Sequence, residues 1–300
     1  MFIATISLSL YVINTLFWAL PIFVLSVFKL IPFKVFRGWV GYILDLCASA
    51  WVSVNTGIQR LCSPLKIHTS GLEQLSSKDW YLVLSNHQSW VDIVVLQRAL
   101  NGRIPFLKFF LKQELLYVPI LGMAWWALDF PFMRRYSKSF LAKNPHLKGK
   151  DLETTKQACE KFKFKPVSVM NFMEGTRFTP QKHVKQGSPY KQLLKPKSGG
   201  IGFVLTVMGQ QLHKIVDVTI HYPKQIPTFW HFLSGQVKNV YMHVNVIDIT
   251  PELVGDYSSD KEYKKHLHSW VNQLWQQKEQ TLMMLQDKTS QKQAAIELSH

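Results

Sequence analysis

The segment Asn86-His87-Gln88-Ser89-Trp90-Val91-Asp92 sets an imidazole and a carboxylate on either side of a strand-to-helix turn. A histidine leaving a strand, with a carboxylate in the first turn of the next helix, can form a hydrogen-bonded dyad. The aspartate fixes the ring tautomer and the other ring nitrogen takes a proton. In a serine hydrolase that proton comes from the enzyme's own serine; here it can come from the hydroxyl of a bound substrate. The same spacing also suits a helix cap, with Asp92 closing a Ser89-x-x-Asp92 box and His87 a turn residue. A second cluster, Glu174-Gly175-Thr176-Arg177, stands where an apolar strand ends, and ligands of α/β sheets collect beyond the carboxyl ends of strands. Arg177 can fork onto a phosphate, with Gly175 admitting close backbone approach and Glu174 orienting the guanidinium; a turn with a solvated ion pair is the competing description. A third, Phe132-Met133-Arg134-Arg135, follows the apolar run from Pro119 to Met133. It sets a guanidinium beside a phosphate at the edge of a greasy surface, or is a basic loop snorkelling at a membrane.

The elements that must position these groups alternate between strand and helix. Trp80 to Leu84 is a short continuous apolar run, as a buried strand is, and Val167 to Met173 reads as another strand, ending in Glu174-Gly175. Ile215 to Tyr222 and Val237 to Ile249 add two more strands, the last with Val240, Met242, Val244 and Val246 on one face. A helix is predicted from Ser89 to Leu100, stopped by Asn101-Gly102, and another from Asp151 to Lys163, acidic at its start and basic at its end. Asp260 to about Gln286 reads as an amphipathic helix carrying Tyr263, Leu267, Trp270 and Leu274, followed by a frayed end. Strands separated by helices predict an α/β fold, a mixed sheet flanked by helices.

The chain begins differently. From Met1 to Phe28 there is no Asp, Glu, Lys or Arg, and the run is long enough to cross a hydrocarbon core as helix. It lacks the basic start, short apolar stretch and cleavage site of a secretory signal, so it is expected to stay attached as a membrane-embedded helical segment. Pro21 predicts a kink there, or a hairpin dipping into one leaflet. Lys29, Lys34 and Arg37 follow, and the positive-inside tendency puts the remainder in the cytoplasm. Gly38 to Ile58 is apolar yet contains Asp45; it reads either as an interfacial, membrane-packed helix or as the first core helix of the domain behind it. The division expected is residues 1–62 as anchoring helices, 63–257 as an α/β catalytic domain and 258–300 as a C-terminal amphipathic helix and tail.

Composition narrows the class. With 300 residues, 47% hydrophobic and 18% charged, the chain is neither disordered, collagenous, coiled-coil nor a disulfide scaffold. Cys47, Cys62 and Cys159 form no CxxC pair, which suits reduced thiols and gives no structural zinc site. A net charge of +16 predicts an anionic partner surface. Attraction to anionic lipid, on the order of 1 kcal/mol per basic residue at the surface, accounts for it. A nucleic-acid binder would share that charge but shows no recognisable binding module, and a hydrolase of the α/β type would need a G-x-S-x-G elbow that is absent.

Taken in order, the three clusters and a later apolar strand block resemble the four blocks of the glycerolipid acyltransferases, the PlsC-type 1-acylglycerol-3-phosphate acyltransferases: N-H-x4-D, F-x-x-R, E-G-T-R and a strand block, here spanning Leu82 to Pro223. Phe110-Leu111-Lys112-Gln113-Glu114-Leu115, Val118-Pro119, Leu121-Gly122 and Lys197-Ser198-Gly199-Gly200 extend the likeness. The long N-terminus, with Lys150 to Thr155, is most similar to the YihG-type bacterial branch. The resemblance implies that His87 is the general base and Asp92 its orienting carboxylate. It implies that Glu174 and Arg177 hold the acceptor's phosphate, Gly175 and Thr176 shape the loop, and Arg135 is a further phosphate contact. The fold implied is the mixed sheet already predicted, with the membrane segment in front of it. The reaction implied is acyl transfer from acyl-CoA or acyl carrier protein, as co-substrate, to a lysophospholipid hydroxyl. The oxyanion would rest on backbone N–H groups near Ser89 or on a nearby base. Membrane lipids and the two substrates are the expected partners, nucleic acid is not, and neither a metal nor a prosthetic group is required. Met123, Trp125 and Trp126 are the candidate wall for the acyl chain at the membrane surface, with core packing as the alternative. The fourth block departs from the family: it usually has a proline after its valine, whereas this chain reads Ile215-Val216-Asp217.

Overall fold

In the chain, helix α1 (Phe2–Val27) and helix α2 (Lys34–Cys62) precede strand β1 (Lys66–Ser70), strand β2 (Tyr81–Ser85) and helix α3 (Val91–Leu100). Strands β3 (Leu107–Phe109) and β4 (Leu111–Lys112), helix α4 (Leu121–Ala127) and strand β5 (Phe132–Met133) come next. After them lie β6 (Ser168–Phe172), α5 (Pro180–Gln186), α6 (Gly199–Met208), β7 (Lys214–His221), α7 (Phe229–Leu233), β8 (Asn239–Asp248) and α8 (Lys261–Glu297). This computed structural model describes residues 2–133 and 165–297, together with Glu153, Lys156, Cys159 and Phe162. The helix expected over residues 151–163 therefore falls almost wholly outside the described residues.

Among the described residues six strands form one mixed sheet in the order β1-β8-β7-β2-β6-β3. β2 lies parallel to both β6 and β7, with Ser85 level with Phe172 on one side and Val218 on the other. β8 runs antiparallel to β7 and parallel to β1. The register has a direct consequence for chemistry: the carboxyl ends of β2, β6 and β7 emerge side by side, so the loops that follow them must touch. The alternation along β2 divides the core into two layers. Tyr81 and Val83 face one cluster with Val95, Leu96 and Met242; Leu82 and Leu84 face another with Leu205, Leu267 and Trp275. The helical hairpin, α3 and α4 cover the first face; α6 and α8 cover the second.

Among the described residues the other expected strands and helices form, with adjustments that have physical causes. α8 runs on to Glu297 rather than fraying near Gln286, because the added stretch contains neither Gly nor Pro and is rich in Gln, Lys and Ala. α1 remains helical on both sides of Pro21, and the chain reverses only after Val27, where Ile31 is extended ahead of Pro32, so the hairpin turn does not fall at the proline. α1 and α2 then form an antiparallel pair, tied at mid-height by Asn14 Nδ2 donating to Asn55 Oδ1 (2.8 Å) and to the Trp51 carbonyl (3.1 Å).

α2 fits both readings of its sequence. Val40, Leu44, Ala48 and Val52 are buried, while Trp39, Tyr42, Ile43 and Leu46 are exposed. Its Asp45 reaches Lys108 at 2.9 Å and also pairs with Lys165. At the hairpin's tip Lys29 bonds the Ala127 carbonyl (2.7 Å) and pairs with Asp129. The cations that follow the apolar run are thus partly spent on fastening the hairpin to the sheet domain. α1 with its following turn is the one helix among the described residues long and apolar enough to cross a membrane, with a mean hydropathy of 2.0.

Candidate active site

His87 leaves β2 and Asp92 sits in the first turn of α3, and the two meet. His87 Nδ1 lies 2.9 Å from Asp92 Oδ2. The same carboxylate oxygen accepts from the Gln88 N–H (2.6 Å) and the Ser89 N–H (2.8 Å). The dyad forms and the capping box forms by half: the Asp92 carboxylate returns to the Ser89 N–H while also holding the ring. The Ser89 hydroxyl takes a different part, accepting from Val91 N–H (3.1 Å) and donating to the Pro227 carbonyl (2.5 Å). Because a carboxylate only accepts, Nδ1 carries the proton and Nε2 presents a lone pair. Nε2 has no protein partner among the described residues, and the ring stacks on Phe172 with centroids 3.8 Å apart.

Of the two expected supports for the oxyanion, backbone N–H groups near Ser89 or a nearby base, the geometry removes the Gln88 and Ser89 N–H groups from the first. The N–H groups of Gln88 and Ser89 are already committed to Asp92. An oxyanion could recruit them only by stripping donors from a buried carboxylate.

Glu174 is also placed differently from expectation. It is fully buried, and instead of orienting Arg177 its oxygens accept from the His87 N–H (2.8 Å) and the Leu194 N–H (3.1 Å). The Leu194 carbonyl in turn accepts from Trp275 Nε1 of α8 (2.9 Å). Glu174 thus bolts the His87 turn to the far layer of the fold. Burial pushes its carboxyl up to about 8, against the two N–H donors that favour the anion. A carboxyl raised on folding binds more protons in the native state, so its contribution to stability declines as pH rises from about 4.5 to about 8. Glu174→Gln removes that titration and sets an NH2 against one backbone donor. The variant should melt below the wild type at pH 5, with the gap narrowing by pH 8 in thermal scans. Identical pH dependence of the two would mean that Glu174 is charged throughout.

Gly175 has φ +66°, a left-handed conformation that favours glycine, and it turns the chain sharply beyond β6. The turn brings Arg177 out to the surface, where its guanidinium lies 4.5 Å from the Trp90 ring centroid. Lys182 Nζ donates to Thr176 Oγ1 (2.7 Å) and to the Arg177 carbonyl (2.9 Å), and Phe178 N–H donates to the His87 carbonyl (2.7 Å). The two loops are therefore one unit. Arg135, the further phosphate contact expected, lies outside the described residues.

A cavity of about 630 Å³ opens beside this unit, and His87, Trp90, Gly175, Thr176 and Arg177 all line it. Its remaining wall is largely apolar and comes from α1, α2, α3 and α4, with Phe109 of β3, Leu111 of β4, Met170 and Phe172 of β6 and Phe229 of α7. Of the three residues expected to form an acyl-chain wall, Trp125 lines the cavity, whereas Met123 and Trp126 sit on the outer side of α4, 59% and 53% exposed. One seven-residue helix thus supplies both a chamber wall and an outward apolar face. Asp217 is not among the lining residues; it points to the opposite layer, so the departure in the fourth block does not touch the chamber.

Two further residues complete the site, Asn86 of the N-H-x4-D block, to which no role was assigned, and Tyr222, which carried no local signal. Asn86 exchanges hydrogen bonds with the backbone of Ile220, both 2.9 Å, pinning β2 to β7 just before His87. Tyr222 donates its hydroxyl to Asp92 Oδ1 at 2.6 Å. A strand-end tyrosine 130 positions away in the chain gives no sign of this. Only the continued two-residue alternation from Val216 through Ile220 could have indicated the face on which its ring lies.

Comparison with known proteins places these residues in context. The Acyltransferase family model matches residues 66–222, which run from β1 to Tyr222. The chain is 25% identical over 279 residues to lysocardiolipin acyltransferase 1 of Gallus gallus, covering 86% of this chain and 68% of that one. It is 26% identical over 187 residues to 1-acyl-sn-glycerol-3-phosphate acyltransferase 3 of Arabidopsis thaliana, covering 57% of this chain and 46% of the relative. The chain thus spans about half to two thirds of the length of these relatives. A crystal structure of the lysophosphatidic acid acyltransferase PlsC from Thermotoga maritima aligns over 88% of this chain and 97% of that one, with 16% identity and a TM-score of 0.43.

Proposed function

Since the chain belongs to the acyltransferase family, we propose that it is a membrane-bound enzyme moving a fatty acyl group from a thioester to a lysophospholipid hydroxyl, with 1-acylglycerol-3-phosphate as acceptor. The observation that carries this reading is the single cavity onto which the His87–Asp92 pair, the Arg177 guanidinium and a long apolar wall all open. A lysophospholipid has the same three parts: a hydroxyl to deprotonate, a phosphate to pair and a chain to bury. The outward apolar faces of α1, α2 and α4, among them Phe17, Leu20, Trp39 and Trp126, suit contact with lipid.

The steps follow from the geometry. Asp92 holds His87 with Nδ1 protonated, so Nε2 takes the acceptor's hydroxyl proton as its oxygen attacks the thioester carbonyl. The tetrahedral oxyanion collapses, the carbon–sulfur bond breaks, and the thiolate of the donor leaves with the proton returned from Nε2. No covalent enzyme intermediate is needed. With the Gln88 and Ser89 N–H groups committed, and with Arg98 of the cationic chamber residues bonded to Gln59 and the Leu65 carbonyl, Arg177 and Lys112 are the cations assigned to the developing charge and the phosphate.

The test is acyl transfer in membranes carrying the protein, from labelled oleoyl-CoA and oleoyl-acyl carrier protein to lysophosphatidic acid, with lysocardiolipin as a second acceptor. Arg177→Ala is expected to raise the acceptor KM about tenfold to a hundredfold, the worth of a charged hydrogen-bonded contact, with a smaller effect on kcat. Transfer to neither acceptor from either donor would overturn the proposal. A loss in kcat alone would move Arg177 from the phosphate to the reacting carbonyl.

A further inference from the structure

We propose that Tyr222 is a positioning residue for His87: its hydroxyl, donated to Asp92 Oδ1, aims the carboxylate at the ring and limits how tightly that carboxylate holds the ring's proton. The inference rests on His87 being the base of the acyl transfer proposed above. The two oxygens of Asp92 are used unequally. Oδ2 meets His87 Nδ1, Gln88 N–H and Ser89 N–H, whereas among the described residues Oδ1 receives Tyr222 alone, at 2.6 Å. Asp92 is fully buried, so no solvent substitutes for that donor.

Tyr222 reaches Asp92 because β7 lies parallel to β2 and because Val216, Val218, Ile220 and Tyr222 share one face. Continuing the alternation one residue beyond the strand carries the ring under the start of α3. Burial, and then the adjacent Asp92 charge, keep the phenol protonated far above its ordinary range, so it acts as a donor at every working pH. The other ionisable groups facing His87 or its cavity are Glu174, Arg177, Lys112, Arg98 and Tyr11.

Removing the hydroxyl leaves Oδ1 without a donor and concentrates the carboxylate's charge toward the imidazole. The ring should then keep its second proton to higher pH, leaving less of the neutral base near neutrality. Tyr222→Phe keeps the ring's packing. The variant is expected to lose about three- to tenfold in kcat at pH 7 and to recover toward wild type as pH rises, with the acidic limb displaced upward by about half to one pH unit and KM little changed. A substrate-free readout accompanies the kinetics. In the full chain in detergent micelles, labelled with ring-15N histidine, the resonance absent from His87→Ala should titrate at higher pH in Tyr222→Phe. An unchanged titration and pH profile, or a uniform kcat loss at every pH, would overturn the proposal. A displaced titration in a protein whose wild type transfers no acyl group would instead overturn the functional reading and leave the Tyr222–Asp92–His87 linkage standing.

Discussion

Replacing His87 by alanine is expected to slow acyl transfer by at least about a hundredfold and up to about ten-thousandfold, the range over which a positioned general base contributes. The loss should fall on kcat, because no other titratable side chain among the described residues faces the cavity with a lone pair in the place of Nε2. Asp92→Asn is expected to fall in the same range, for two reasons. The amide cannot accept from three donors at one oxygen as Asp92 Oδ2 does, and it does not stabilise the imidazolium that forms as the hydroxyl is deprotonated. The check is initial rates with saturating acceptor and either thioester donor, alongside circular dichroism to verify folding. A His87→Ala protein that retains a tenth of wild-type kcat would place the base elsewhere.

The second large effect lies in the opposite layer. Lys278 of α8 is fully buried, with Nζ 2.8 Å from Asp217 Oδ1 and 2.6 Å from the Val218 carbonyl, and it lies over the Trp275 ring. Burial raises the Asp217 carboxyl and lowers the Lys278 amine, while each charge opposes the shift of the other. Lys278→Met leaves a buried carboxylate without its counter-ion and is expected to cost about 3–5 kcal/mol. The measurement is thermal or denaturant unfolding of the detergent-solubilised protein. The double variant Asp217→Asn with Lys278→Met should recover much of the loss, because neither charge is then left unpaired. If Lys278→Met melts with the wild type, the pair is not what holds α8 to the sheet. The same contact gives a physical role to Asp217, the residue at which the fourth block departs from the resemblance. Asp217 sits inside β7, paired on both sides, and anchors the C-terminal helix behind the strand that delivers Tyr222.

The amino-acid sequence by itself determined the parts that depend on neighbours in the chain. The unbroken apolar run at Trp80–Leu84 and the largely apolar stretch at Val167–Met173, interrupted by Ser168 and Asn171, became β2 and β6 within a residue or so, because strands buried in a parallel sheet are hydrophobic on both faces. The His87–Asp92 pairing was legible because a strand, a tight turn and a first helical turn leave few ways to separate the two. The charge-free N-terminal helix was legible from length and composition alone. β1 is as long as β2 but has Ile67 as its one apolar residue, and β3 has only three residues, so neither presents an apolar run or a period in the sequence.

Tertiary structure alone decided the partners. Glu174 has the composition of a ligand for the arginine three residues on, yet it turns inward to backbone N–H groups 87 and 20 positions away. Tyr222 meets Asp92, Lys278 meets Asp217, and the amphipathic ambiguity of α2 is resolved by burying one apolar face while exposing the other. The physical reason is common to all of them. Parallel register brings the carboxyl ends of β2, β6 and β7 together whatever their separation in the chain. A buried polar group must then be satisfied by whichever donor or acceptor that convergence places beside it.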